Sequence, residues 1–373
     1  MRKLHALWMS TLLVLTACIP VYDNDEEIVQ ENTEDNKNET AIVPRHNISE
    51  EHYKTILTED GPKQAKARGT ITRQLNNRLD IDEMETGLQR HSKEYFEPGS
   101  HFYQAGQYLE RDTVLGLIDG LNPDRDKLES EDDHRENPRV LSHILEQNYL
   151  KEEEEGVVKL AGISIGLALK STYSFQTEIG GPTYDEDISA QEIIEMGQRA
   201  ADQVIEEIRN TEGLENVPIM IALYREEDSG SAVPGNFIKK AYVKGGSTNS
   251  PDWKDVNEDF ILFPSGEAEE KHYQDSQLLG EFRNEVSKYF PNFVGFVGEG
   301  FYVNDTLEEV SIEIPIQFQS KNEVVGFTQY VYGFVMEMFN EDYEIEVKIN
   351  SNSQPESVIV KERGKEEPYV HIY

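Results

Sequence analysis

The sequence predicts an α+β fold: a mainly helical or irregular N-terminal part, then mixed strand–helix–strand units. Three observations predict it. Residues 160–170 place large side chains (Ile163, Ile165, Leu167, Leu169) alternately with small ones (Gly162, Ser164, Gly166, Ala168), the period of a strand. Ile193, Gly197, Ala200, Ala201, Val204, Ile205 and Ile208 then recur at helical spacing. The same succession returns later, with Val310, Ile312, Ile314 and Ile316 alternating before the helical stripe Phe327, Tyr330, Val331, Phe334, Val335, Met338 and Phe339.

The chain opens with Arg2 and Lys3, an apolar run containing Leu7, Trp8, Met9, Leu12, Leu13 and Val14, and the small residues Thr16 and Ala17 before Cys18. That is the anatomy of a secretory signal over residues 1–17. The apolar run falls short of the roughly 20 residues that cross a bilayer. Leu15-Thr16-Ala17-Cys18 resembles the bacterial lipobox. The resemblance implies cleavage before Cys18 and a thioether-linked lipid on its sulfur, with acyl chains as the membrane contact. Cys18 is the one cysteine among 373 residues. Lipidation therefore leaves no thiol for a disulfide or for cysteine catalysis.

Residues 18–43 are polar and acidic (Asp23, Asp25, Glu26, Glu27, Glu31, Glu34, Asp35, Glu39), which predicts a disordered tether. A flexible stretch of that length spans roughly 28 Å on average, enough to hold a folded part off a membrane. Residues 44–155 read as helices and irregular segments. Residues 48–53 open a short helix, residues 80–96 form one with Met84, Leu88 and Phe96 inward, and Val140, Leu141, Ile144, Leu145 and Tyr149 suggest another over 138–150. The charged run ending in Glu155-Gly156 sets a boundary, and residues 156–373 form the α+β part. Its helix starts at Ser189-Ala190-Gln191-Glu192, a capping-box sequence. Residues 217–224 and 343–349 read as strands, and Leu278, Leu279, Phe282, Val286 and Phe290 as a helix between the passages. Two readings stay open for these passages: a duplicated unit or one continuous domain.

Lys and Arg number 35 and Asp and Glu 72, a formal charge of −37. Nucleic acid calls for a basic footprint and is excluded as a partner. No cofactor is indicated. The P-loop pattern fails, because Gly364-Lys365 is followed by Glu366. Gly162-Ile163-Ser164-Ile165-Gly166 has the Gly-x-Ser-x-Gly spacing but lies inside the alternating strand, not at the strand-to-helix turn an elbow needs, and no Ser-x-x-Lys pair occurs. Among nine histidines, neither His46 with His52 nor His134 with His143 has the one-turn spacing of a helical zinc site. Asp119, Asn122, Asp124 and Asp126 gather oxygen ligands without the spacing of a calcium loop, so no metal site is assigned. The small-residue stretch Ser229-Gly230-Ser231-Ala232-Val233-Pro234-Gly235-Asn236-Phe237 is either a binding loop or a plain connection. Glycoside hydrolysis asks only for two facing carboxylates, which a chain this acidic neither identifies nor denies.

Five segments, in order, resemble landmarks of the CamS family of Gram-positive lipoproteins, described as sex pheromone precursors. They are Gly116-Leu117-Ile118-Asp119-Gly120-Leu121-Asn122-Pro123, His143-Ile144-Leu145-Glu146-Gln147-Asn148-Tyr149, Ile165-Gly166-Leu167-Ala168-Leu169, Val233-Pro234-Gly235-Asn236-Phe237 and Tyr289-Phe290-Pro291-Asn292. The resemblance implies a lipid-anchored protein on the outer face of the cell membrane, touching envelope or cell-wall components. It also implies a short peptide released from the signal sequence just before Cys18, here Thr11, Leu12, Leu13, Val14, Leu15, Thr16 and Ala17. This stretch lacks the aromatic residue and the isoleucine that the resemblance calls for. No catalytic residue carries over, so the expected ectodomain is non-catalytic. The alternative is a peptidoglycan hydrolase, or an envelope binding module working through unassigned carboxylates or a cleft between the two halves. The sequence sets no oligomeric state.

Overall fold

The computed structural model describes residues 25–31, 38–59, 61–67, 69, 77–248, 251–289, 295–317, 320–351 and 354–373. They form two lobes, each built on its own sheet and each with its own apolar core.

The N-terminal lobe begins with a hairpin of β1 (Asp25–Glu31) and β2 (Asn38–Pro44). Short strands β3 (Lys54–Thr55), β4 (Leu57–Thr58), β5 (Gly61–Pro62) and β6 (Asn77–Arg78) lead to α1 (Ile81–Ser92). Asp80 starts that helix by accepting a hydrogen bond from the Glu83 amide at 3.2 Å. β7 (Phe102–Ala105), α2 (Arg111–Leu121) and α3 (Glu131–Glu136) precede the long hairpin of β8 (Leu141–Glu154) and β9 (Val157–Lys170). A small ribbon, β10 (Thr172–Phe175) with β11 (Tyr184–Asp187), leads into α4 (Ala190–Asn210). That helix crosses over to β12 (Ile219–Asp228), which runs parallel to β9. β13 (Asn236–Val243) and β14 (Trp253–Asp255) complete the lobe.

The C-terminal lobe contains β15 (Glu258–Phe263), α5 (Gly266–Lys271), α6 (Tyr273–Val286), β16 (Val297–Val303), β17 (Thr306–Ile316), α7 (Lys321–Met338), β18 (Glu344–Ser351), β19 (Gln354–Lys361) and β20 (Tyr369–Ile372). Its sheet runs in sequence order from β15 to β20, antiparallel except for β17 and β18, which α7 joins in parallel. The central path β7-β8-β9-β12-β13-β14 of the first lobe has the same order and the same single parallel pair.

The lobes differ in layering. Ile163, Ile165, Leu167 and Leu169 of β9 enter a core with α2 and α4, including Val114, Ile118, Ala200 and Val204. The opposite, small-residue face lies against α1 and Phe96. A Cβ on Gly162 would strike the Phe96 ring, and one on Gly166 would meet Met84 Cε at 2.9 Å. Ser92 and Ser164 hydroxyls bond across this contact at 2.7 Å. The lobe therefore has helices on both sheet faces. In the second lobe Ile312, Ile314, Ile345, Val347 and Ile349 pack into one core with Phe282, Phe327, Val331 and Val335. The other face carries Glu313, Glu346 and Lys348.

Several sequence expectations change. Residues 138–150 are mostly strand β8, not helix. That strand is buried on both faces through Leu150, including Ser142, His143, Glu146, Gln147 and Asn148, so period two is erased and its apolar positions imitate a helix. Residues 48–53 are bends and turns. The N-terminal part thus carries strands β3 to β8 beside its helices and irregular segments. Glu155-Gly156 is the turn between two paired strands of one sheet, with Gly156 at φ +78°, and not a boundary. The chain passes between lobes at residues 256–257. Residues 25–31 and 38–43 of the expected tether are strands, with Ile28, Ala41 and Val43 buried against Ile56, Leu150 and Val158. A few apolar residues at period two suffice there, despite the acidic composition around them.

Candidate functional site

Glu146 organises a ligand-sized groove in the first lobe. It sits on β8, fully enclosed, where burial pushes its carboxyl upward and backbone amides oppose that. Those amides are Gln107, Tyr108 and Leu109, which donate to it at 2.9, 3.0 and 2.6 Å. The carboxylate thereby fixes the chain between β7 and α2. Gly106 must be glycine for this approach, since a Cβ would meet Glu146 Cβ at 2.7 Å. The bend leaves a groove of about 310 Å³ beside the sheet. Ala65, Ala67, Ala105, Leu109, Ile144 and Leu145 give it an apolar floor, and Gln64, Glu85, Tyr103, His143 and Glu146 supply polar atoms. Such a composition, apolar with a few convergent polar groups, is that of a small-molecule site.

Each polar group there has a definite state. Glu85, exposed on α1 at the mouth, has its carboxyl raised by partial desolvation and by neighbouring Asp82. Burial raises the Tyr103 phenol to about 12, with Glu85 adding to the effect. Burial lowers His143 to about 4, so its ring is neutral at physiological pH. The groove thus offers a neutral ring, a neutral phenol and one uncommitted carboxylate.

A second concentration of chemistry lies at the ends of β9 and β12, where Lys170 and Glu226 are register partners. Both are buried. Ser142 Oγ donates to Glu226 Oε1, while Oε2 has no hydrogen bond among the described residues. Burial raises the Glu226 carboxyl to about 7 against the pull of Ser142 and Lys170. Burial lowers the Lys170 ammonium to about 8, opposed by Glu226. These residues were missed in the sequence because a polar residue at a strand end reads as solvent-facing.

The residues singled out from sequence are dispersed. Cys18 and Thr11–Ala17 lie outside the described residues. His134 stacks on Phe175 with centroids 4.5 Å apart and bonds the Tyr173 hydroxyl at 2.9 Å, while His143 lines the groove. His46 is exposed, and exposed His52 bonds Ser49 Oγ at 2.7 Å. Asp119 pairs with Arg139 at 2.7 Å. The Asn122 amide is spent on Ile118 and Leu141, and Asp124 caps a single 3-10 turn. Among the described residues no three His, Cys, Asp or Glu side chains are grouped to hold a metal ion. Residues 229–235 connect β12 and β13, with Gly235 pressed on the Arg225 carbonyl, while Asn236 and buried Phe237 open β13.

Side chains bridge the described seam between the lobes. Arg90 binds both carboxylate oxygens of Glu258 at 3.2 Å and Glu83 at 2.8 Å, and its guanidinium lies 4.5 Å from the Phe301 ring centre. His91 Nε2 is 3.1 Å from Glu258, and Asn236 donates to the Glu258 carbonyl at 2.7 Å. Burial alone would raise the Glu258 carboxyl; His91 and Arg90 hold it below its ordinary value.

Two mixed sheets of one strand order, a bridged seam and a groove in the first lobe define a two-lobed α+β protein with a candidate binding site. The sequence model of the family described as CamS sex pheromone cAM373 precursor matches residues 63–367, and the chain belongs to this family. It is similar to the sex pheromone precursor of Lactobacillus salivarius subsp. salivarius UCC118, with 28% identity and a TM-score of 0.79, over 88% of this chain and 98% of that one. It is also similar to the C-terminal domain of the sex pheromone staph-cAM373 precursor of Staphylococcus aureus, with 26% identity and a TM-score of 0.68, over 78% of this chain and 96% of that one. No curated protein matches the chain.

Proposed function

We propose that this protein is a lipid-anchored envelope lipoprotein, held on the outer face of the cell membrane by Cys18, whose folded lobes form a non-catalytic binding module. Leu15-Thr16-Ala17-Cys18, behind a secretory signal, supports the anchor. Membership in a family of pheromone precursors supports the same arrangement and a second product, the peptide Thr11–Ala17. The shared strand order of the lobes favours a duplicated unit over one continuous domain.

The observation that carries the binding reading is the commitment of the carboxylates. Glycoside hydrolysis needs two working carboxyl groups across a cleft. In the groove, Glu146 is consumed by three backbone amides and Glu85 alone is uncommitted. At the seam, Glu83 and Glu258 both hold Arg90. That pattern suits binding better than peptidoglycan hydrolysis.

Radiolabelled palmitate tests the anchor. Wild type takes up label and Cys18→Ala does not; undiminished label in the variant sinks the anchor. Incubating the full chain with purified cell wall tests the non-catalytic reading, and release of muropeptides would overturn it. Synthetic Thr11–Ala17 is expected to trigger little mating response in plasmid-bearing cells, because the stretch lacks the aromatic and isoleucine described for this group.

A further inference from the structure

The groove beside Glu146 has a charge pattern that selects its ligand. Its floor is aliphatic, and its described lining contains no lysine or arginine. Among the described residues, no cation or hydrogen-bond donor sits on the Glu85 carboxylate at the mouth, and the charged neighbour acting on it is Asp82, of like sign. Tyr103 lines the same groove and feels the Glu85 charge, which helps to raise its phenol. A carboxylate beside an aromatic ring is a natural seat for an ammonium group, attracted by charge and by the ring face together. The neutral His143 ring adds no repulsion. An anionic head would meet a carboxylate at the mouth and the field of a chain at −37. The volume, about 310 Å³, is at the lower end for ligand sites, so the body must be short.

From this geometry we infer that the groove binds a small cationic amphiphile, its ammonium group between Glu85 and Tyr103 and its aliphatic body on Ala65, Ala105, Leu109 and Leu145. The inference rests on reading the lobes as a binding module and adds the ligand class.

The test is calorimetric titration of the full chain with n-octylamine, n-octanol and n-octanoate, each below its micellar concentration. The expected order is amine first, alcohol about tenfold weaker and carboxylate without measurable binding. Glu85→Gln brings the amine down to the level of the alcohol and leaves the alcohol unchanged. Asp82→Asn removes the same charge from an exposed neighbour and preserves the amine preference. Equal binding of amine and alcohol to wild type overturns the cation selection and leaves a binding groove standing. An amine preference that survives in Glu85→Gln places the selecting charge elsewhere and overturns the assignment. Failure of all three probes overturns the ligand class and removes support for the binding module as well.

Discussion

Strands β8, β9 and β12 of the first lobe lie between α1 on one face and α2 with α4 on the other. Strands β17 and β18 of the second lobe, in the corresponding places of the same strand order, carry helices on one face and charged residues on the other. A sheet covered twice must bury polar residues wherever a strand needs them, and must satisfy or retune each one. That is where Glu146, Glu226, Lys170 and His143 are found. Among the described residues, the second lobe buries two charged groups: Glu258 at the seam, and Lys361, which bonds the Phe339 carbonyl. The covered sheet therefore holds the chemistry, and the half-open one serves as scaffold.

The largest test of this contrast is Gly162→Ala. The new Cβ would fall inside the Phe96 ring, which is stacked on Tyr149 at 4.8 Å and has no room to retreat. Overpacking costs about 1–3 kcal/mol and occasionally more, and an overlap this deep belongs at the top of that range. Chemical denaturation of wild type and variant measures it. A loss under about 1 kcal/mol would mean that the α1 layer is loosely held and the lobe effectively two-layered.

The same contrast explains what could be read from sequence. In β17 and β18 one face meets helices and the other meets water, so Val310, Ile312 and Ile314 alternate visibly with Ser311 and Glu313. In β9 alternation survived by size rather than polarity, because a glycine–serine–alanine face packs as tightly as an isoleucine face. The capping box at Ser189 was legible because it is local, and both its hydrogen bonds form. β8 was not legible. Its Ser142, Glu146 and Asn148 are buried, and only long-range partners tell them from a solvent-facing helix surface. The groove was hidden for the same reason. Gly106, Glu146 and the 107–109 amides are forty residues apart in sequence and meet only through the pairing of β7 with β8. Cys18 was readable because its chemistry is a linear motif.

Acid gives the next effect. His143 is held neutral to about pH 4, whereas an unfolded histidine takes its proton near 6.5. Between those values the unfolded chain binds a proton that the native chain refuses, so stability falls as pH drops through this window and the penalty vanishes above it. The full difference is at most about 3 kcal/mol. Stability of wild type measured at pH 7.5 and 4.5, compared with His143→Asn, isolates it. The variant should lose less on acidification; equal losses would show that the groove wall admits the charged ring.

At the seam, Glu258→Ala strips Arg90 and His91 of their shared carboxylate. Breaking a fully buried pair costs about 3–5 kcal/mol, but Arg90 is 34% exposed, which lowers the expectation to about 2–3 kcal/mol. The comparison is sharpened by how the protein unfolds. If Arg90 couples the lobes, the variant should separate one calorimetric transition into two, with the C-terminal lobe melting first for want of a second helical layer. A single shifted transition would place the coupling in other contacts.

The smallest effect runs in the opposite direction and uses the mirror of the first substitution. Gly333 lies inside α7, at a right-handed helical position, and a Cβ there would meet nothing within 4 Å. A glycine in a helix interior is disfavoured relative to alanine by about 0.5–1 kcal/mol, through the freedom it loses on folding. Gly333→Ala should therefore stabilise the chain by that amount, although the same exchange at Gly162 is among the most damaging available. Denaturation midpoints of the two variants, measured side by side, decide the point. Stabilisation at Gly333 confirms that α7 has open space behind its buried stripe. Destabilisation would mean that an unseen partner covers this helix, and that the second lobe is also a three-layered structure in its working assembly.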